Sequence, residues 1–194
     1  MTRYLFRLAN QGGYAPRQTG QLAERVRAIL GSRESIGHLR ISNNAIEFDL
    51  FANDQQDLAA KRTLLEEKVA KVLTVKTLDL PPAPREKFDV LKEGISLFNE
   101  ERFWECHEVL EQIWHPSRGT ERELIQGLIL TAAALVHHQK AEKEVCLSML
   151  RKASTKLASQ LYFENIDLDY VRDKVRQMME SKSPQPFEIR LKAS

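Results

Sequence analysis

The residues best suited to chemistry lie in the segment FWECHEVLEQIW, from Phe103 to Trp114. Helical spacing places His107, Glu108 and Glu111 on one stripe, next to an apolar stripe that includes Cys106. Because His107 and Glu111 are four residues apart, their side chains meet on one face of a helix. An imidazole with carboxylates one turn away can bind a divalent metal, or a carboxylate can orient the imidazole for acid–base catalysis.

A second polar line follows in the segment after Gly119. Arg122, Gln126 and His137 lie near one azimuth of a helix, since eleven residues bring a helix almost back to the same direction. If the two helices pair antiparallel across the short Pro116–Gly119 connection, both polar lines face a shared seam, with Arg122 closing it near the first line. We predict as metal ligands His107, Glu111 and His137, and as catalytic residues Glu108, Arg122 and Gln126.

Two structural interpretations stay open beside the chemical one. A His/Glu pair at i,i+4 is commonly a surface pair that contributes a few tenths of a kcal/mol. An arginine opposite a glutamate is more often a clamp between helices than an anion site. Glu111 also stands where the zinc motif H-E-x-x-H needs its second histidine, so the pattern departs from that motif. Spacing alone therefore allows a metal or catalytic site, or a purely structural polar network.

The first 80 residues alternate between the period of strands and the period of helices. Their order is β-α-β-β-α-β, which is typical of a ferredoxin-like domain with two helices on one face of the sheet and the other face open. The predicted elements are a strand at 3–8, a helix at 18–30, strands at 38–41 and 45–51, a helix from 54 or 55 to 69, and a strand at 72–80.

Three prolines follow Leu80 within four residues, and such a run forms a stiff linker rather than a helix or strand. We place the domain boundary there, between a first domain at 1–80 and a helical domain at 86–182, with a tail at 183–194. The fold class is therefore α+β, with a helical bundle of about five helices in the second domain. The predicted helices lie near 86–100, 102–114, 119–139, 143–160 and 167–181.

Composition excludes several classes of protein. With 29 Lys and Arg against 27 Asp and Glu, the net charge is +2, which argues against a surface devoted to nucleic acid. The longest mostly apolar stretch, Leu124 to Val136, is shorter than the roughly 20 residues that a membrane helix needs. The N-terminus lacks the apolar run of a secretory signal. We expect a cytoplasmic protein with no membrane partner, in which Cys106 and Cys146 are buried thiols.

The motifs resemble one family. They are Leu97-Phe98-Asn99, then Phe103-Trp104-Glu105-x-His107-Glu108-Val109-Leu110-Glu111-x-x-Trp114, then Arg122-x-x-Ile125-Gln126-Gly127-Leu128-Ile129, then Ala132-Ala133-Ala134-Leu135-x-His137. They resemble the family numbered 309 among the domains of unknown function, which carries the label of a predicted metal-dependent hydrolase. The resemblance covers the segment 88–160 and implies an all-helical domain that gathers these polar residues. Ala141-Glu142 and Val145-Cys146 stand where that family often has Gly-Asn and Gly-Ala.

These observations lead to two kinds of function. The first is a metal-dependent hydrolase in which a divalent ion activates water and Arg122 holds a small anionic substrate group such as phosphate. No organic cofactor is expected. The alternative is a non-catalytic binding or scaffold module for protein or RNA, in which the polar cluster is structural. RNA would bind the sheet of the first domain, and a homodimer would form through the helical half or the sheet.

Overall fold

A computed structural model of the chain describes residues 1–78, 85–158, 163 and 165–190. The predicted proline linker at 81–84 lies outside the described residues. The chain forms two compact units, which are Met1–Ala83 with Gln139–Ala141, and Pro84–His138 with Glu142–Ser194. Each unit has its own apolar core.

The first unit contains a four-stranded antiparallel sheet with strand order β2-β3-β1-β4. This sheet and the helices that follow it confirm the prediction of a mixed α/β chain. The elements of this unit are β1 Thr2–Ala9, a short 3₁₀ turn Pro16–Gln18, α1 Thr19–Leu30, β2 Ile36–Ile41, β3 Ala45–Ala52, α2 Gln55–Lys68 and β4 Val72–Thr77.

Alternating apolar residues of β1 and β3 form the core of the first unit. Phe6 lies opposite Phe48 in the register of the two strands, and their rings stack with centroids 6.1 Å apart. Both side chains are fully buried, and α1 contributes Leu22 and Val26 to the same core. Burial of such large aromatic side chains stabilises a sheet of this size by several kcal/mol, at about 25 cal/mol per Å².

The second face of the sheet carries charged residues and differs from the open face that the sequence predicts. The side chains of Arg40, Glu47 and Asp49 are only 1%, 4% and 0% exposed. Arg3 Nη2 donates to Asp49 Oδ2 at 2.6 Å, and Arg7 Nε lies 3.3 Å from Glu47 Oε1. Since a buried charge is costly without an opposite charge beside it, the arginines and acids of this face compensate one another.

Five α-helices follow in the described part of the second unit, and their apolar stripes form one core. Cys106 and Cys146 are buried and free in this core, as predicted. Within the described ranges, no helix has both the length and the apolar composition that crossing a membrane requires. The helices are α3 Lys87–Asn99, α4 Phe103–Trp114, α5 Gly119–Gln139, α6 Lys143–Leu157 and α7 Leu168–Ser181.

Two glycines allow helices of the second unit to approach closely. A Cβ at Gly94 of α3 would lie 2.6 Å from a methyl carbon of Leu110 in α4. A Cβ at Gly127 of α5 would lie 2.8 Å from two side-chain carbons of Leu157 in α6. A helix therefore approaches closely at Gly127, and that helix is α6. The apolar contacts of α4 hold its polar stripe on the opposite, accessible side.

Candidate functional site

The N-terminal turn of α4 is held by an ion pair. Arg102 donates to both carboxylate oxygens of Glu105, with Nε–Oε1 and Nη2–Oε2 distances of 2.8 and 3.0 Å. The Glu105 side chain is almost completely buried, so this bidentate pair lies in a low dielectric environment. Glu105 belongs to the motif that resembles the family, and its contacts here give it a structural role.

His107 lies between two carboxylates of its own helix. Its Nδ1 is 3.1 Å from Glu108 Oε1, and its Nε2 is 3.5 Å from Glu111 Oε1. The donor atoms that these three residues can offer all lie within 4.8 Å of one another. The side chains of His107, Glu108 and Glu111 are 27%, 48% and 39% exposed, so a dissolved ion or small molecule can reach them.

The two carboxylates raise the pKa of His107. The hydrogen bond with Glu108 contributes most, the negative charges of Glu111 and Glu108 act in the same direction, and partial burial opposes them. The imidazole therefore holds its second proton to a higher pH than an ordinary histidine. A metal ion binds only the deprotonated ring nitrogen, so protons compete with a metal at this position.

The donor set fits a divalent ion. One imidazole nitrogen and two carboxylate oxygens are ligands that zinc accepts, with bond lengths of about 2.0–2.2 Å. Two ligand atoms at that radius lie about 3–3.5 Å apart. The donor atoms here lie within 4.8 Å of one another. Glu108 lies at Nδ1 and Glu111 at Nε2, so a shared ion requires both exposed carboxylates to turn toward one ring nitrogen. Three protein ligands leave coordination positions open for water or substrate.

His137, the third predicted metal ligand, has a different partner. Its Nδ1 pairs with Glu142, and among the described residues the group that could hold a metal ion contains His107, Glu108 and Glu111 without His137. Ala141 adopts a left-handed conformation, with φ of 63°, at the turn that brings Glu142 back to His137. Glu142 occupies the place where the family pattern often has asparagine, so this chain supplies its own carboxylate there.

Arg122 lies on the ring of Trp114 instead of against Glu111. The guanidinium carbon is 4.1 Å from the ring centroid, a cation–π contact. Trp114 follows Glu111 by three residues, so it continues the stripe of His107 and Glu111 toward the end of α4. In the described part of the chain, Arg122 has no ion pair with an acid, and the partly buried side chain of Gln126 has no hydrogen bond.

Sequence reasoning missed three pairings at or near these residues. The stacking of Arg122 on Trp114, the pairing of His137 with Glu142, and the contact of Asn99 with Ile189 were not expected. The stacking of Arg122 on Trp114 had one signal in the sequence. Trp114 is the last residue of α4, and Arg122 lies near the start of the next helix. The other two depend on the path of a turn and of a tail, which helical spacing does not predict.

Comparison with known proteins gives one finding for this chain. No curated protein and no solved structure matches it. The match is to a family model described as "Domain of unknown function (DUF309)", and it covers residues 91–149. That segment runs from α3 into α6 and includes every residue of the candidate site. The resemblance read from the motifs is thus confirmed, since residues 91–149, in the helical half of this chain, match the model of the DUF309 family.

Proposed function

We propose that the helical unit is a metal-dependent hydrolase in which His107, Glu108 and Glu111 hold a divalent ion. The observation that carries the proposal is the convergence of one imidazole and two carboxylates on the accessible side of α4, with donor atoms within 4.8 Å of one another. A bound ion of this kind would supply Lewis acidity and a water molecule with a lowered pKa.

The residues of the chain have separate roles in this proposal. His107 contributes a neutral ring nitrogen as a ligand, and Glu111 contributes a carboxylate oxygen. Glu108 lies next to them and is the most exposed of the three, so it can also accept a proton from an attacking water. His137 is not assigned a ligand role, because it pairs with Glu142. Gln126 is not assigned a catalytic role.

Arg122 is the residue proposed to recognise substrate. Its guanidinium rests on Trp114, which orients the planar group without neutralising its charge. Among the residues that the structure describes, no carboxylate pairs with this guanidinium, and such a planar group suits an anionic substrate group such as phosphate or carboxylate, which accepts two parallel hydrogen bonds. The substrate class is therefore a small anionic ester.

The hydrolase proposal is tested with the metal-free protein and a chromogenic phosphate ester, p-nitrophenyl phosphate, before and after addition of Zn²⁺ or Mn²⁺. We expect hydrolysis that requires added metal and falls at least about 100-fold in His107→Ala, in line with loss of a metal ligand. His115→Ala is the matched control, since His115 ends the same helix outside the donor group. Turnover that persists without metal, or equally in both variants, would contradict the proposal.

For the first unit we propose a ferredoxin-like domain that ends at the proline-rich segment. The strand order and the antiparallel neighbours of the sheet support this description. RNA-binding sheets of this type stack bases on exposed aromatic side chains. Tyr4, Phe6 and Phe48 are buried, so they support a structural role in preference to RNA binding.

A further inference from the structure

The C-terminal segment Phe187–Arg190 lies against the helical unit although it belongs to no helix or strand. The side-chain amide of Asn99, at the end of α3, forms hydrogen bonds with both the N–H and the C=O of Ile189. Asn99 Oδ1 accepts from Ile189 N at 2.8 Å, and Asn99 Nδ2 donates to Ile189 O at 3.1 Å. One amide thus satisfies the donor and the acceptor of a single residue, as a neighbouring β-strand would.

Alternate side chains of this segment point to opposite sides. Phe187 packs edge-to-face on Phe98, with ring centroids 5.1 Å apart, and also contacts Tyr170. Glu188 is exposed, whereas Ile189 is only 5% exposed. The segment therefore places two apolar side chains, at positions i and i+2, into the helical unit.

The last residue of the segment is held at its side chain and at its backbone. The guanidinium carbon of Arg190 lies 3.9 Å from the ring centroid of Tyr170. The backbone N–H of Asp167 donates to Arg190 O at 2.9 Å. We call the surface formed by Phe98, Asn99, Asp167 and Tyr170 the tail groove.

We propose that the tail groove is a peptide-binding site for an extended segment of the pattern apolar–any–apolar–basic, and that residues 187–190 fill it as an internal ligand. Recognition of an extended peptide commonly combines hydrogen bonds to its backbone with pockets for alternate side chains, and both are present here. Phe98 and Asn99 lie inside the matched segment 91–149, whereas Asp167, Tyr170 and the occupant lie outside it. Half of the groove and its occupant thus come from separate parts of the chain.

The connection between α7 and residues 187–190 determines the effective concentration of the tail, with which an added peptide must compete for the groove. Residues 182–186 form a short connection, in which Pro184 is buried and Gln185 N donates to Met178 Sδ at 3.5 Å, so the tail stays at a high effective concentration next to the groove. The wild-type groove is therefore closed to dilute peptides. Removal of the two apolar anchors weakens the hold of the tail on the groove and leaves the residues of the groove unchanged.

The experiment uses the full chain and a fluorescent peptide with the sequence SPQPFEIR, monitored by fluorescence anisotropy. We expect Phe187→Ala/Ile189→Ala to bind the peptide at least tenfold more tightly than the wild type does. Adding Asn99→Ala to that variant should weaken binding at least tenfold. Glu188→Ala is the matched control, since its exposed side chain lies outside the groove, and it should behave as the wild type. A peptide with alanine at both apolar positions should not bind.

Three results would overturn the proposal. The first is a double variant that melts cooperatively but binds the peptide no more tightly than the wild type. The second comes from hydrogen exchange of the wild type, where a separable ligand predicts that the Ile189 amide exchanges at least tenfold faster than the slowest amides of α3. Exchange of Ile189 together with the core of α3, or loss of the cooperative transition in the double variant, would make the tail an integral part of the core.

Discussion

At the residue scale, the chemistry of the candidate site depends on a proton. His107 has a carboxylate near each ring nitrogen, and both stabilise its doubly protonated form. A metal ion and the second proton therefore compete for the same imidazole. In the proposed site the carboxylates would contribute to both states, as ligands in one and as counter-charges in the other.

This raised pKa predicts a pH-dependent contribution to stability. A group whose pKa is higher in the folded state stabilises the protein below its unfolded value of about 6.5, and that stabilisation disappears as the pH rises through the folded value. We expect His107→Gln to lower the free energy of unfolding of the metal-free protein by about 0.3–1 kcal/mol at pH 5.5, and by less at pH 9. Urea denaturation at both pH values measures the difference.

The matched control for this measurement is His115→Gln. His115 caps the C-terminal end of the same helix and lies outside the donor group. Its effect should not depend on the Glu108 and Glu111 charges. An equal loss of stability in His107→Gln at the two pH values would show that the carboxylates do not stabilise the imidazolium.

The sequence was sufficient to predict part of the residue-level geometry. His107, Glu108 and Glu111 meet because residues one and four positions apart are neighbours on a helix, and this needs no knowledge of tertiary structure. The partners of Arg122 and His137 could not be predicted in the same way. Glu111 and Trp114 lie about one turn apart on α4, and spacing alone does not show that Arg122 contacts Trp114. His137 pairs with Glu142 because of a left-handed turn at Ala141.

At the scale of elements, helical periodicity located α3 to α7 closely. The segment predicted at 119–139 is the helix Gly119–Gln139, and the one predicted at 102–114 is Phe103–Trp114. The tail is different, because Asn99 and Ile189 are 90 residues apart and share no periodic pattern. Its side-chain–backbone contacts depend on the assembled helices.

The contact between α5 and α6 gives a prediction at this scale. Gly127→Ala would place a Cβ 2.8 Å from side-chain carbons of Leu157 and 3.1 Å from its backbone nitrogen. Because backbone cannot move aside as a side-chain end can, we expect a loss of about 1–3 kcal/mol in the free energy of unfolding, despite the better helix propensity of alanine. Urea denaturation measures this loss.

Gly20→Ala is the control for that change. Gly20 lies in the first turn of α1, and nothing lies within 4 Å of the Cβ that alanine would add. Its substitution should leave stability unchanged or raise it by up to about 1 kcal/mol. If Gly127→Ala were as stable as the wild type, the helices would not be held at the distance described here.

At the scale of the whole molecule, the two units differ in where their polar groups lie. In the first unit, Arg40, Glu47 and Asp49 are buried and compensate one another within the sheet. In the second unit, the group of His107, Glu108 and Glu111 is accessible on α4. The burial of the charged sheet face was not predictable from strand alternation, which distinguishes two faces but does not reveal how far each face is buried.

The proposed function depends on metal binding by the whole chain, and isothermal titration of the metal-free protein with Zn²⁺ measures that binding. We predict one ion bound per chain, with an affinity that increases with pH as His107 loses its proton, and a higher Tm in the presence of the ion. The affinity should fall at least tenfold in Glu111→Gln and in His107→Ala, and remain in His115→Ala. Absence of binding by the wild type, or equal binding by all four proteins, would contradict the account.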